Sequence, residues 1–242
     1  VTGIPAARRP VVAITQARIG SSRLPRKVLL PVAGRPLLWW HLTRLKRALT
    51  LDRIVVATTG EPGSDRIVAI ADELGIGHFR GSVDDVLARF EGAAGDARTV
   101  VRVTSDCPLI DPALLDAAVA DYASGEAGYV SLDVARYPRG LDCEVFPRAA
   151  LSAAVANAVE PHDREHVTPY IRRHAACRYL APPGPVEPHR WCVDTADDLA
   201  LVERVLDAIG GDPGFGWRDV VSLLDRHPEW RVLNRHVVQK PQ

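Results

Sequence analysis

At 242 residues, 47% hydrophobic and 25% charged, the chain is long enough to bury a sizeable core and too apolar for extended disorder. Thirty Lys and Arg balance thirty Asp and Glu, and a net charge of zero excludes a generally basic nucleic-acid-binding surface. The balance is uneven, however: eleven basic residues and a single acidic one, Asp52, fall within residues 1–53. Such an excess marks either an anion site near the N-terminus or a solvated basic helix face.

The four cysteines, at positions 107, 143, 177 and 192, form no CxxC and write neither a zinc ribbon nor a thioredoxin-type motif, so a reduced, cytoplasmic protein is expected. The apolar run Val11-Val12-Ala13-Ile14 stops at Thr15-Gln16, too short for the core of an export signal. No stretch approaches the ~18 apolar residues of a membrane span.

In chain order, Val11 to Gln16 predicts a buried strand and Pro36 to Ala48 a helix with Leu37, Leu38, Leu42 and Leu45 on one face. Arg53 to Thr58 reads as a second strand, followed by a helix capped at Ser64 and stopped by Gly75. His78 to Arg80 is a short third strand, Val83 to Ala94 a helix, and Thr99 to Val103 the central strand. Asp111 and Pro112 open the next helix. This alternation is that of an α/β, Rossmann-like, three-layer fold with a mostly parallel sheet. After Tyr122 the rhythm changes: Tyr129 to Leu132 and Leu141 to Phe146 are strands joined through the turn-rich Arg136–Gly140, and Asp163 to His174 is helical. Arg178 to Ala181 is extended, Trp191 to Asp194 a strand end, and Ala196 to Ile209 and Trp217 to Asp225 are helices. The chain reads as one domain over 1–242 with an inserted β/α arm at about 129–175, and the tail from Arg235 has no core pattern.

The strongest chemical signal is Gln16-Ala17-Arg18-Ile19-Gly20-Ser21-Ser22-Arg23-Leu24-Pro25-Arg26-Lys27, directly after the first strand. Small residues at the carboxyl end of a parallel strand let backbone amides approach phosphate oxygens, and Arg18, Arg23 and Lys27 add charge-assisted donors. The loop is neither GxGxxG nor GxxxxGK[ST], which disfavours a dinucleotide site and a Walker ATPase. Asp106, in Ser105-Asp106-Cys107-Pro108-Leu109, is either a magnesium-holding carboxylate or a cap for the next turn. Asp194, before Thr195-Ala196-Asp197-Asp198, is a second strand-end carboxylate able to meet it, while Asp197 and Asp198 read as first-turn residues favoured by the helix dipole.

The string Ile14–Leu38 resembles the signature loop of the sugar-activating cytidylyltransferases, most closely the family of bacterial spore-coat polysaccharide biosynthesis proteins. It is also similar to the 3-deoxy-manno-octulosonate and N-acylneuraminate enzymes. The likeness continues through Arg80–Leu87, Arg102–Pro112, Gly140–Phe146, Arg164–Tyr170 and Val193–Thr195. By that resemblance Arg18, Lys27, Asp106 and Asp194 are the catalytic set, Arg18, Lys27 and Asp106 also binding the nucleotide through its triphosphate, with Asp106 and Asp194 holding Mg2+. The resemblance also assigns nucleotide binding to Ala17, Gly20, Ser21, Ser22 and Arg23 of the loop and to Arg80 and Ser82. It implies transfer of CMP from CTP to a sugar acid with release of pyrophosphate. Arg26 stands where relatives often have Gly, and Cys192 where the neuraminate enzymes have Asp.

Arg139, Asp142 and Glu144, with Arg164, Glu165 and His166, are candidates for binding an acidic polyhydroxylated acceptor. Each cluster reads equally as structural ion pairs and caps. His162 and His166 have i, i+4 spacing but lack the HExxH glutamate of a zinc helix. A phosphonate acceptor or another NTP is the alternative within the enzyme class, and a non-catalytic nucleotide-binding scaffold is the alternative outside it. The family likeness further implies a homodimer through the arm, with no nucleic-acid or membrane partner.

Overall fold

The computed structural model describes residues 3–21, 23–125 and 127–239. β1 (Val11–Gln16) leads through the basic loop to a small ribbon of β2 (Pro31–Val32) and β3 (Arg35–Pro36), then α1 (Leu37–Leu45). There follow β4 (Arg53–Thr59), α2 (Asp65–Glu73), β5 (Gly77–Gly81), α3 (Val86–Ala94), β6 (Thr99–Thr104) and α4 (Pro112–Ala123). The second half carries β7 (Tyr129–Leu132), β8 (Glu144–Pro147), α5 (Arg148–Asn157), α6 (Pro161–His166), α7 (Pro169–His174), β9 (Cys177–Leu180), α8 (Ala196–Ala208) and α9 (Trp217–Arg226).

Seven strands form one sheet in the order β5-β4-β1-β6-β8-β7-β9. All run parallel except β8, which is antiparallel to both neighbours. The segment 129–175 therefore extends the same sheet, with β8 interior to it. Alternating side chains of β1 divide between two cores: Val11 and Ala13 pack with α1, α2, α4, α8 and α9, whereas Val12 and Ile14 pack with α3 and α5. Because β4 and β6 flank β1 on opposite sides, the chain reverses its winding there. The crevice beyond the carboxyl ends of β1 and β6 is thus the topological switch point, where ligands of open α/β sheets collect.

Several elements differ from the pattern reading for identifiable reasons. The helix expected over Asp163–His174 is two short helices, because Val167 adopts φ 70° and Pro169 supplies no N–H to a continuing ladder. The strand expected from Leu141 begins only at Glu144: Gly140, at φ 103°, lies so close to the 191–192 backbone that an added Cβ would sit 2.7 Å from Cys192 N. Its own amide donates to Asp142 Oδ2, which curls the chain away from the sheet. Asp85, not Val83, starts α3, its side chain accepting from the Ala88 amide. Trp191–Asp194 forms no strand; just before it, Arg190 makes an isolated bridge to Arg139. The Ala-rich α5 has no counterpart in the pattern reading.

Candidate active site

The basic loop leaves β1 with Ala17 buried and its amide spent on the Ala57 carbonyl at 3.1 Å. It closes on itself where Arg26 N donates to Ile19 O at 3.2 Å and Lys27 N to Leu24 O at 3.2 Å. Arg26 takes the left-handed conformation, φ 57°, that Gly tolerates best, and its side chain is exposed. Gly20 faces open space; an added Cβ would meet only Glu61 Oε1, at 3.9 Å. Ser22 lies outside the described residues.

Lys27 brings the two strand-end aspartates together. Its Nζ donates to Asp106 Oδ2 at 2.6 Å and to Asp194 Oδ1 at 2.8 Å, although the residues are 79 and 167 positions away in sequence. Burial works against the ammonium, but the two carboxylates outweigh it and hold the Lys27 pKa above the ordinary lysine value. Burial likewise opposes ionisation of Asp106, and Lys27 overrides it, keeping this carboxyl below its usual range. Arg23 and Arg190 also reach Asp194 Oδ2, at 2.9 and 2.6 Å. The two loops are knitted directly, Val193 N donating to the Asp106 carbonyl at 2.8 Å. Behind the Asp106 turn, the fully buried His41 of α1 spans Thr15 Oγ1 and the Cys107 carbonyl, each at 2.9 Å. Asp106 and Asp194 both reach the Lys27 ammonium, and as hard oxygen donors they are of the chemical type a magnesium ion takes.

Arg23, Lys27, Asp106 and Asp194 line a cleft of about 300 Å3, with six cationic side chains and four carboxylates on its walls. Arg18, Gly20, Ser21, Arg23, Lys27 and Asp106 meet there, as do Arg139, Asp142, Glu165, His166 and Asp194. Arg80 does not: it lies at the sheet edge, paired with Asp65 at 2.5 Å. Ser82 enters only indirectly, its carbonyl accepting from Arg89 Nη1 and its hydroxyl from Asp85 N at 3.1 Å. Arg164 is committed to structure, bonding Asp85 Oδ2 at 2.5 Å and the Ala158 carbonyl at 3.0 Å.

Next to the cleft is a recess of about 100 Å3 that shares Arg102, Arg139, Asp142 and His166 with it and adds Glu144 and Arg172. Glu144 is saturated: Arg102 Nη1, Tyr129 OH (2.5 Å) and Thr168 Oγ1 (2.6 Å) all donate to it. Burial opposes its ionisation, but Arg102 prevails and holds it below the usual range. Asp142 goes the other way, burial raising its pKa more than Arg139 lowers it. Burial, with His162 adding to it, lowers the His166 pKa, so this ring is neutral at pH 7. Cys107 and Cys192 at the cleft are held as thiols, Cys192 pushed up to about 12 by burial and Asp106. The His162 and His166 rings lie 4.5 Å apart, and among the described residues no three His, Cys, Asp or Glu side chains gather to hold a metal. No described helix is long and apolar enough to cross a membrane.

Two groups in the cleft and one behind it escape the sequence reading. Arg89 is 1% exposed on the inner face of α3, its Nε is buried without a partner, and no described carboxylate lies within ion-pair distance. Burial and the charge of Arg18 both draw its pKa down. The available signal is its position: an arginine between Val86 and Phe90 on an otherwise apolar helix face. Arg102 sits mid-strand on β6, within the Arg102–Pro112 likeness, which assigns it no site role. Asp198, taken as a dipole-favoured residue, is fully buried and accepts from the amides of Asp194 and Thr195, both at 3.0 Å.

Residues 12–199 match the family model described as cytidylyltransferase. An uncharacterized protein of Methanocaldococcus jannaschii is 38% identical over 95% of this chain and 96% of its own length. The spore coat polysaccharide biosynthesis protein SpsF of Bacillus subtilis is 30% identical, over 90% of this chain and 95% of its own. The structure of a cytidylyltransferase from Leptospira borgpetersenii superposes with a TM-score of 0.87 at 28% identity, covering 96% of this chain and 99% of that one. The chain belongs to the cytidylyltransferase family.

Proposed function

We propose that the protein transfers CMP from CTP to an acidic sugar, such as a nonulosonate, and releases pyrophosphate. The observation that carries this reading is the meeting of Asp106, Asp194, Lys27 and Arg23 at the mouth of the glycine-containing loop, with Arg18 and Arg89, which have no described carboxylate within ion-pair distance, in the same cleft. The acceptor oxygen attacks the α-phosphorus, its bond to phosphorus forms as the bridge to the β-phosphate breaks, and the electron pair leaves with pyrophosphate. Arg18 and Arg89 bind the nucleotide's negative charge, and Lys27 and Arg23 neutralise the leaving group. Asp106 and Asp194 would hold Mg2+, which when bound supplies positive charge to the triphosphate oxygens.

Arg102 and Arg139 are matched to Glu144 and Asp142, so Arg172 leaves the recess with a net positive charge that would favour a carboxylate-bearing acceptor. Asp142, between recess and cleft with its pKa raised by burial, is the carboxylate best matched to taking the acceptor hydroxyl's proton. Assembly as a homodimer through the 129–175 region belongs to the same reading, and light scattering at twice the chain mass would support it. The test of function is pyrophosphate release with each of the four NTPs, Mg2+ and a panel of sugar acids and phosphonates. Release with CTP and a sugar acid is expected; no release with any pair, or preference for another NTP, contradicts the proposal.

A further inference from the structure

The stretch after α9 carries no periodic pattern, yet it returns to the cleft. Beyond the 3-10 turn Pro228–Val232, Asn234 is 4% exposed, and its Nδ2 donates to the Arg190 carbonyl at 2.9 Å and to Asp198 Oδ1 at 2.8 Å. Gln239 lines the cleft, and its Oε1 accepts from Arg190 Nη1. Arg190 spends its other nitrogens on Asp198, through Nε at 3.0 Å, and on Asp194 Oδ2, through Nη2 at 2.6 Å. A long arginine side chain left to itself samples many rotamers, and ordering it costs entropy that its partners must offset. Here the partners come from two directions: Asp198, locked as the third residue of the α8 capping box, and the C-terminal segment.

We infer that Asn234 and Gln239 are positioning residues for the reaction, the C-terminal segment acting as a strap that fixes Arg190 and, through it, the Asp194 carboxylate. The strap lies beyond residue 199, where the family match ends. The inference rests on Asp194 having the role proposed above. Arg190 is the partner one step removed from the Asp194 carboxylate, a kind of contact whose loss weakens metal affinity or activity by about 10- to 100-fold, and Asn234 and Gln239, one step further out, act by holding Arg190.

The experiment compares the full-length protein with Asn234→Ala, Gln239→Ala and a chain ending at Leu233. Steady-state kcat and KM for CTP are measured per folded molecule, and Mn2+ binding is titrated by electron paramagnetic resonance with a non-hydrolysable CTP analogue and no acceptor. Asn234→Ala is expected to lower kcat and weaken Mn2+ binding by about three- to tenfold, less than loss of a direct partner of the carboxylate, with KM for CTP within about threefold of the parent. Unchanged Mn2+ affinity, or a loss of activity wholly explained by a smaller folded fraction, overturns the inference. If the truncated chain does not fold, the two point variants decide. If the parent shows no CMP transfer, the functional reading fails, while the Mn2+ titration still judges the strap.

Discussion

Two groups of cations share the cleft and are treated in opposite ways. Lys27 and Arg23 are already matched to Asp106 and Asp194, within 2.9 Å, whereas Arg18 and Arg89 have no described carboxylate within ion-pair distance. The first group is a preassembled electrostatic frame whose charges cancel. The second is uncompensated, and for the buried Arg89 that state is costly unless an anion completes it. Folding therefore fixes the frame, and ligand binding settles the uncompensated pair.

Breaking the frame gives the largest effect. Asp106→Ala is expected to lower pyrophosphate release by about 10³-fold or more, because it removes a proposed metal carboxylate and leaves Lys27 with one of its two carboxylate partners. Near-normal turnover in this variant would remove the role assigned to the frame. The support behind the frame shows itself in pH. Burial pushes His41 down to about 4 from its ordinary 6.5, so the folded protein keeps it neutral while the unfolded chain takes up a proton below 6.5. Its contribution is therefore present above pH 6.5 and lost as pH falls toward 4, by about 3 kcal/mol. Urea unfolding at a series of pH values would show this loss, with a shallower dependence in His41→Gln. An equally steep profile in that variant would assign the loss to other groups.

The uncompensated pair responds differently. Arg89→Met is expected to raise KM for CTP by about 10- to 100-fold while leaving the thermal midpoint unchanged or higher, since a buried unpaired cation gives way to an apolar side chain of similar length. A lower midpoint with unchanged KM would make Arg89 a structural residue. The smallest effect is expected at Arg26. Arg26→Gly relieves about 1 kcal/mol of left-handed backbone strain and gives back a similar amount in unfolded-chain entropy, so stability and KM for CTP should barely move. A tenfold rise in KM would instead place Arg26 with the anion-binding group.

The frame was more legible in the sequence than the uncompensated pair, for physical reasons. Phosphate loops are contiguous, and strand-end aspartates sit where a β-run meets a turn, so Lys27, Asp106 and Asp194 stand out locally. Arg89 lies within a helix, where an arginine ordinarily faces solvent, and only its place on the apolar face betrays it. The Arg190–Asp198–Asn234 cluster joins residues as far as 44 positions apart, a relation that no local pattern encodes. The same distinction holds for the fold. The βα alternation through α4 follows from periodicity, but the insertion of β8 between β6 and β7 depends on non-local pairing. The break between α6 and α7 was written in Thr168-Pro169, and the helical periodicity on either side masks it.

The bond the protein makes decides its function. Phosphorus-31 NMR of the reaction of CTP, Mg2+ and an accepted sugar acid should show pyrophosphate and a CMP ester of the acceptor appearing in equal amounts, and mass spectrometry should find the CMP group on the sugar. Release of inorganic phosphate and CDP instead, or pyrophosphate with only free CMP, would contradict CMP transfer to the sugar.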